Sequence, residues 1–206
     1  MIWGDSHAAA LSGGLRQLVP GLGPFMATGC PPLPDNDFVQ RPSCRRINDV
    51  LGELASVRAA RLFLHANWSE YRKLDPARAL SVTLARIRRT SPEIEIIVTG
   101  PVPLWSPSLP AHMLRTGASL RENASQDLLN PAFDRWSAPD AALETVAKNA
   151  GASFFSPPRL FCHGECCPVT TSLRGFTELV TWDYGHLTGA GALLLSRELL
   201  SHVGNP

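Results

Sequence analysis

Gly4-Asp5-Ser6-His7 near one end of the chain and Asp183-Tyr184-Gly185-His186 near the other are the two strings whose residue types could carry chemistry. A serine hydroxyl becomes a nucleophile when a histidine takes its proton, and a carboxylate on the other ring nitrogen holds that histidine in the useful tautomer. The three-residue spacing in the second string lets a turn bring Asp183 to Nδ1 of His186, leaving Nε2 for Ser6. Gly4 permits a sharp turn ahead of the serine. A serine at the start of a helix also has free amide N–H groups and the positive end of the helix dipole beside it, which favour the oxyanion formed when it attacks a carbonyl. The chemistry would be acyl transfer through a serine ester. Each string alone also has a plainer reading, with Asp5 or Ser6 as a helix N-cap and Asp183 as a capping residue beside a surface histidine. Their joint placement favours chemistry, because both fall at loop-to-helix junctions on one rim of a sheet.

The elements that set this placement follow from hydrophobic periodicity. Ile2-Trp3 reads as the end of a strand, His7 to about Val19 as a helix, and Pro24 to Ala27 as a short strand. Ser43 to Val57 reads as a helix, with Ile47, Val50, Leu51 and Leu54 on one face. Arg61 to His65 is a short apolar strand of the doubly buried kind. The pattern recurs with a helix over 75–89, a strand over 93–99, a long Pro-rich loop, a helix over 138–149, a strand over 153–155, a Cys-rich loop, and a closing amphipathic helix over 188–202. Strands alternating with helices predict an α/β fold with a parallel sheet. With 206 residues and no convincing linker or repeat, residues 1–206 read as a single domain.

Composition narrows the function. The chain is 44% hydrophobic and 18% charged with a net charge of +1, so it is globular and has no basic footprint for nucleic acid. No apolar run approaches the roughly 18 residues that span a bilayer. The 16 Gly and 18 Pro residues imply long, shaped loops. Phosphate-binding glycine loops and the Gly-x-Ser-x-Gly elbow are absent. His7 and His65 read as satisfied structural histidines, Trp68 as a packing residue at the site rim, and Arg45, Arg46, Arg86, Arg88 and Arg89 as solvated helix faces. Asn67-Trp68-Ser69 and Asn123-Ala124-Ser125 fit glycosylation sequons. The five cysteines form two local groups, Cys30 with Cys44 and Cys162 with Cys166 and Cys167, which suits disulfides and an oxidising compartment. The competing reading of the second group is a zinc site using Cys162, His163, Glu165, Cys166 and Cys167, although the usual ligand spacings are missing.

Taken together, Trp3-Gly4-Asp5-Ser6-His7-Ala8, Cys30-Pro31-Pro32-Leu33, Ala66-Asn67-Trp68-Ser69, Gly100-Pro101-Val102-Pro103, Cys162 to Cys167 and Asp183 to Gly189 resemble the SGNH, or GDSL, hydrolase-like superfamily of esterases and acyltransferases. The chain is most similar to the SGNH domain on the C-terminal side of membrane-embedded acyltransferase-3 proteins, which O-acetylate bacterial surface glycans such as lipopolysaccharide. The resemblance implies a three-layer α/β/α sandwich with a central parallel sheet of flavodoxin-like topology. It implies Ser6 as nucleophile, His186 as base, Asp183 as its orienter, and Gly4 and Asp5 as turn-shaping residues. The Ser6 amide, Gly29 and Asn67 become the oxyanion-hole candidates. Gly29 also reads as a turn glycine and Asn67 as a loop-stabilising amide, since His65-Ala66-Asn67-Trp68 departs from the family's Gly-x-Asn-Asp.

Neither a metal nor an organic cofactor is implied. The expected partners are an acyl donor, a glycan acceptor and an upstream membrane acyltransferase domain of the same polypeptide, with the domain in the periplasm or another extracytoplasmic space and tethered to the inner membrane. In such an exported domain the expected bonds are Cys30–Cys44 and Cys162–Cys167, leaving Cys166 free. Only three residues precede Gly4 in what should be a central strand, so the native polypeptide is expected to continue upstream. A free-standing carbohydrate esterase and a non-catalytic glycan-binding scaffold are the alternative functions.

Overall fold

The computed structural model describes residues 1–34, 41–49, 54, 60–118 and 127–204. A five-stranded parallel sheet is built from β1 (Ile2–Gly4), β2 (Pro24–Met26), β3 (Arg61–His65), β4 (Glu95–Thr99) and β6 (Ser153–Phe155) in the order β2-β1-β3-β4-β6. This is the flavodoxin-like order expected from the alternation of strands and helices.

Alternate residues of each strand enter opposite layers of the core, as the two-residue period of a strand requires. Ile2, Phe63, Ile97 and Phe155 pack with α1 (Ser6–Leu18) and α8 (Gly189–Val203) on one face. Trp3, Leu62, Leu64, Ile96, Val98 and Phe154 pack on the other, against α3 (Pro76–Thr90) and α6 (Asp140–Asn149). Each such side chain, fully buried, contributes about 1.5–3 kcal/mol, and the two layers fix which rim of the sheet carries the loops after β1, β3 and β4.

Helix α1 presses closely on α8 because Gly14 has no side chain. A Cβ there would overlap the Ala192 backbone. Gly13, its neighbour, has nothing within 4 Å of the same position.

Several expectations are refined. Helix α2 covers Pro42–Asn48; the rest of the helix expected to Val57 lies largely outside the described residues, as does the sequon at Asn123. The Pro-rich loop holds α4 (Leu109–Thr116), β5 (Asp127–Leu129) and α5 (Phe133–Ser137). Helix α4 is opened by a Ser108 cap and a proline in its first turn and closed by Gly117 in the left-handed conformation, signals short enough to be lost among the other prolines. The Cys-rich region follows α7 (Pro157–Leu160) and contains β7 (Cys166–Pro168), β8 (Thr170–Leu173) and β9 (Phe176–Leu179). Strand β7 pairs with β5, and β8 with β9.

The disulfides are Cys30–Cys44 and Cys162–Cys167, with Cys166 unpaired. Bonding of Cys162 to Cys167 removes two thiolates from the zinc reading of that loop. Arg88 is not a solvated face: its guanidinium donates to the carbonyls of Ala150, Ile94 and Gly151, tying the end of α3 to the end of α6. Planar, multi-donor geometry suits arginine to that clamp.

The two adjacent glycines of α1 should respond oppositely to alanine. Gly14→Ala is expected to destabilise the fold by about 1–3 kcal/mol through overpacking, and Gly13→Ala to stabilise it by about 0.5–1 kcal/mol. Urea denaturation of the two variants measures both.

Candidate active site

Ser6 stands at the first turn of α1, immediately after Asp5 caps the helix. Asp5 is almost fully buried, and its Oδ1 accepts the His7 amide at 2.8 Å. Its Oδ2 accepts the Asn67 amide at 3.0 Å and the Tyr71 hydroxyl at 2.8 Å. Burial and the neighbouring carboxylate push the Tyr71 phenol well above its ordinary pKa, so it stays a donor. Gly4 sits so close to the His65 carbonyl that a Cβ would overlap it. The turn-shaping expectation for both residues thus has a physical content: one lets β1 approach β3, and the other locks the serine turn to the loop after β3.

The second motif folds into a closed turn. Thr181 and Leu187 form an isolated bridge, and the Trp182 amide donates to the His186 carbonyl at 3.1 Å. Inside this turn Asp183 Oδ1 accepts the amides of Gly185 and His186 at 2.9 and 2.8 Å. Its Oδ2 lies 2.8 Å from His186 Nδ1. Partial burial opposes ionisation of Asp183, but the two amides and the His186 ring outweigh it and hold its pKa below the ordinary carboxylate value.

His186 Nε2 is 2.8 Å from Ser6 Oγ. An ionised carboxylate can only accept, so Nδ1 carries the proton and Nε2 is left to accept from the serine. Side chains 180 positions apart are in direct contact. The arrangement is able to draw a proton from a hydroxyl as that hydroxyl attacks an electrophilic carbon.

The oxyanion candidates are placed as follows. The Ser6 amide is in the first turn, where helical N–H groups lack an intrahelical partner. Gly29 adopts a left-handed φ of 68° in the turn closed by Cys30 N–H to Ala27 O. Its neighbour Thr28 lines an open trough with Ser6, Ala10, Trp182, His186 and Leu187. The Asn67 side chain accepts from Ser69 Oγ at 2.9 Å and interacts with the Tyr184 phenol.

Two expectations about aromatic residues change. Trp68 is fully buried, donating to the Thr99 carbonyl at 2.8 Å, so it belongs to the core rather than the rim. His7 and His65 are buried but only half satisfied: His7 Nδ1 and His65 Nε2 have no partner among the described residues. The His7 ring lies against His186, with centroids 4.4 Å apart. Burial, helped by His186 and opposed by Asp183, pushes the His7 pKa down to about 3. Burial and His7, opposed by Asp5 and the Thr99 carbonyl, push His65 down to about 4. His7 therefore adds no charge against an imidazolium forming on His186. Trp182, which sequence reasoning passed over, is 61% exposed and stacks on His186 at 5.5 Å and 19°. Its position directly before Asp183 was the available signal.

Residues 1–201 match the family described as the SGNH domain fused to AT3 domains. The chain belongs to this SGNH family. Among solved structures, the periplasmic domain of a lipopolysaccharide acetyltransferase from Salmonella ser. Paratyphi A is similar to this SGNH domain, with a TM-score of 0.73 and 25% identity over 99% of this chain and 82% of that one. No curated protein matches the chain in sequence.

The buried histidines give this SGNH domain a pH signature. Their folded pKa values lie below 6.5, so the unfolded chain binds protons that the folded one refuses, and stability present above about pH 6.5 is lost as pH falls toward 4. Each contributes a slope of about 1.4 kcal/mol per pH unit in that window. Urea titrations across it should show the loss, and His65→Gln should reduce the slope by about half; an unchanged slope would contradict the assignment.

Proposed function

We propose that this domain transfers an acyl group, acetyl in the first instance, to a hydroxyl of a bacterial cell-surface glycan through an ester on Ser6. The observation that supports this most directly is the unbroken chain from Asp183 through His186 to Ser6 Oγ at hydrogen-bond distances. The similarity to a lipopolysaccharide acetyltransferase domain suggests the acyl group and the acceptor class.

Ser6 Oγ attacks the acyl carbonyl while its proton passes to His186 Nε2. The tetrahedral oxyanion is held by the Ser6 amide, with Gly29 and Asn67 as the further donors. Its collapse breaks the bond to the leaving group, which takes the proton from His186. The acceptor hydroxyl then gives its proton to His186 as its oxygen attacks the serine ester, and Ser6 Oγ recovers the proton on release. Asp183 keeps the imidazole oriented and stabilises its charged form throughout. Water in place of the acceptor turns the same cycle into ester hydrolysis.

The family's fusion to AT3 domains supports an acyl supply from a membrane-embedded domain on the same polypeptide. Among the described residues no helix is long and apolar enough to cross a membrane, so the tether would lie in that other domain. Two disulfides, and the periplasmic origin of the similar structure, support an extracytoplasmic location.

Hydrolysis of p-nitrophenyl acetate tests the chemistry. Ser6→Ala and His186→Ala should each lower kcat to a similar degree, by a factor on the order of 10⁴ or more, and Asp183→Ala somewhat less. Adding a glycan acceptor should divert acetyl from water to sugar in the wild type. Full activity in Ser6→Ala would point to another nucleophile.

A further inference from the structure

Beside the catalytic turn lies a second depression, a cleft of about 390 Å³, distinct from the trough that contains Ser6. Three segments distant in sequence form it. The turn after β3 supplies Arg72 and Lys73, the loop after β4 supplies Trp105, and α5 supplies Arg135 and Trp136. Tyr184, from the catalytic turn, also lines it.

The charges in this cleft are uneven. Arg72, Lys73 and Arg135 are exposed cations with no ion-pair partner among the described residues, and Glu70 is the single carboxylate in the lining. Elsewhere Arg61 is paired with Glu95, and Arg159 with Asp140 and Glu144. Other exposed cations, Arg16, Arg46 and Arg89 among them, also lack an ion pair among the described residues, so what marks the cleft is that three cations meet in one concavity with a single carboxylate. Cations left unpaired in a concave site raise the local concentration of anions.

A second observation points to a ligand. Trp105 and Trp136 are 2% and 0% exposed, and neither indole N–H has an acceptor among the described residues. Buried donors normally find a partner, so two residues that line the cleft carry donors for which no acceptor is found among the described residues. Tyr184, 38% exposed, is the aromatic face that the cleft offers to a ligand.

The cleft communicates with the chemistry through Tyr184. Its ring meets His186 edge-on at 5.2 Å, its hydroxyl is 3.4 Å from His7 Nε2, and its carbonyl accepts the Trp105 amide at 2.6 Å. A ligand seated here would rest one side chain away from the histidine that touches Ser6.

We propose that this cleft binds the acceptor glycan through an anionic substituent, a carboxylate or a phosphate, and so selects charged sugars as acyl acceptors. The cations engage the anion, the exposed Tyr184 ring packs against the sugar, and the trough that contains Ser6 is left to the acyl donor. This rests on the acyl-transfer reading for its catalytic consequence, while the binding itself does not.

The test therefore has a binding arm and a turnover arm. In the first, the full chain is titrated with methyl glucuronide, glucose 6-phosphate, methyl glucoside and inorganic phosphate while the indole N–H signals of Trp105 and Trp136 are followed by NMR. At least one charged sugar should bind at least tenfold more tightly than methyl glucoside and shift both signals. Preference between the two charged sugars identifies the anion, and binding of inorganic phosphate as tight as that of the charged sugars would overturn glycan recognition. Arg72→Gln with Arg135→Gln should remove the preference, and Arg135→Lys should retain most of it. In the second arm, the double variant should raise KM for the preferred charged acceptor about tenfold while leaving p-nitrophenyl acetate hydrolysis unchanged. Equal binding of neutral and charged sugars, or a double variant that keeps the preference, would overturn the proposal. Loss of ester hydrolysis in the wild type, with charged-sugar binding intact, would instead count against the acyl-transfer reading.

Discussion

The Asp5 carboxylate, buried at the turn between β1 and α1, holds together the parts of the site that the chain supplies separately. It accepts from the His7 amide, the Asn67 amide and the Tyr71 hydroxyl, and so fixes both the start of α1 and the loop after β3. Hydrogen bonds to a charged group are the strong kind, each contributing about 1.5–3 kcal/mol. A carboxylate with so little exposure needs that many donors to remain in place. Ser6, one residue further on, inherits its position from this arrangement, and Asn67 is carried to the same rim.

Electrostatics at His186 follow the same economy of parts. Asp183 uses one carboxylate oxygen to shape its turn and the other to orient the imidazole. Around the ring stand His7, which stays neutral because it is buried, and the aromatic faces of Trp182 and Tyr184. An imidazolium forming here therefore meets one carboxylate and no competing cation among these neighbours. The pinning of this turn by the Trp105 and Leu109 amides, which donate to the carbonyls of Tyr184 and Asp183, explains how two ends of the chain can hold a 2.8 Å contact.

The central sheet was legible in sequence because its strands are short apolar runs separated by amphipathic helices, and that alternation has few solutions. The meeting of Ser6, His186 and Asp183 was legible because each stands in a local string with a chemical reason for its spacing. What escaped was mostly long-range. The β5–β7 pairing joins three-residue strands far apart in the chain, while β8–β9, a local hairpin on Arg174-Gly175, escaped because four-residue strands are too short to show a period. Arg88 looks like any surface arginine until the carbonyls at the end of α6 are placed beside it. The burial of His7 and His65, far apart in sequence, shows only once α1 and β3 are packed together. The cleft at Arg72, Lys73 and Arg135 is assembled from segments that no local pattern connects.

The central claim is that Ser6 is the activated nucleophile of this domain. A serine-directed fluorophosphonate, followed by peptide mass spectrometry, measures this directly. The account predicts a single label on the peptide containing Ser6, loss of ester hydrolysis in proportion to labelling, and little labelling of His186→Ala under the same conditions. A label on another residue that tracks the loss of activity, or full activity with Ser6 labelled, would contradict it.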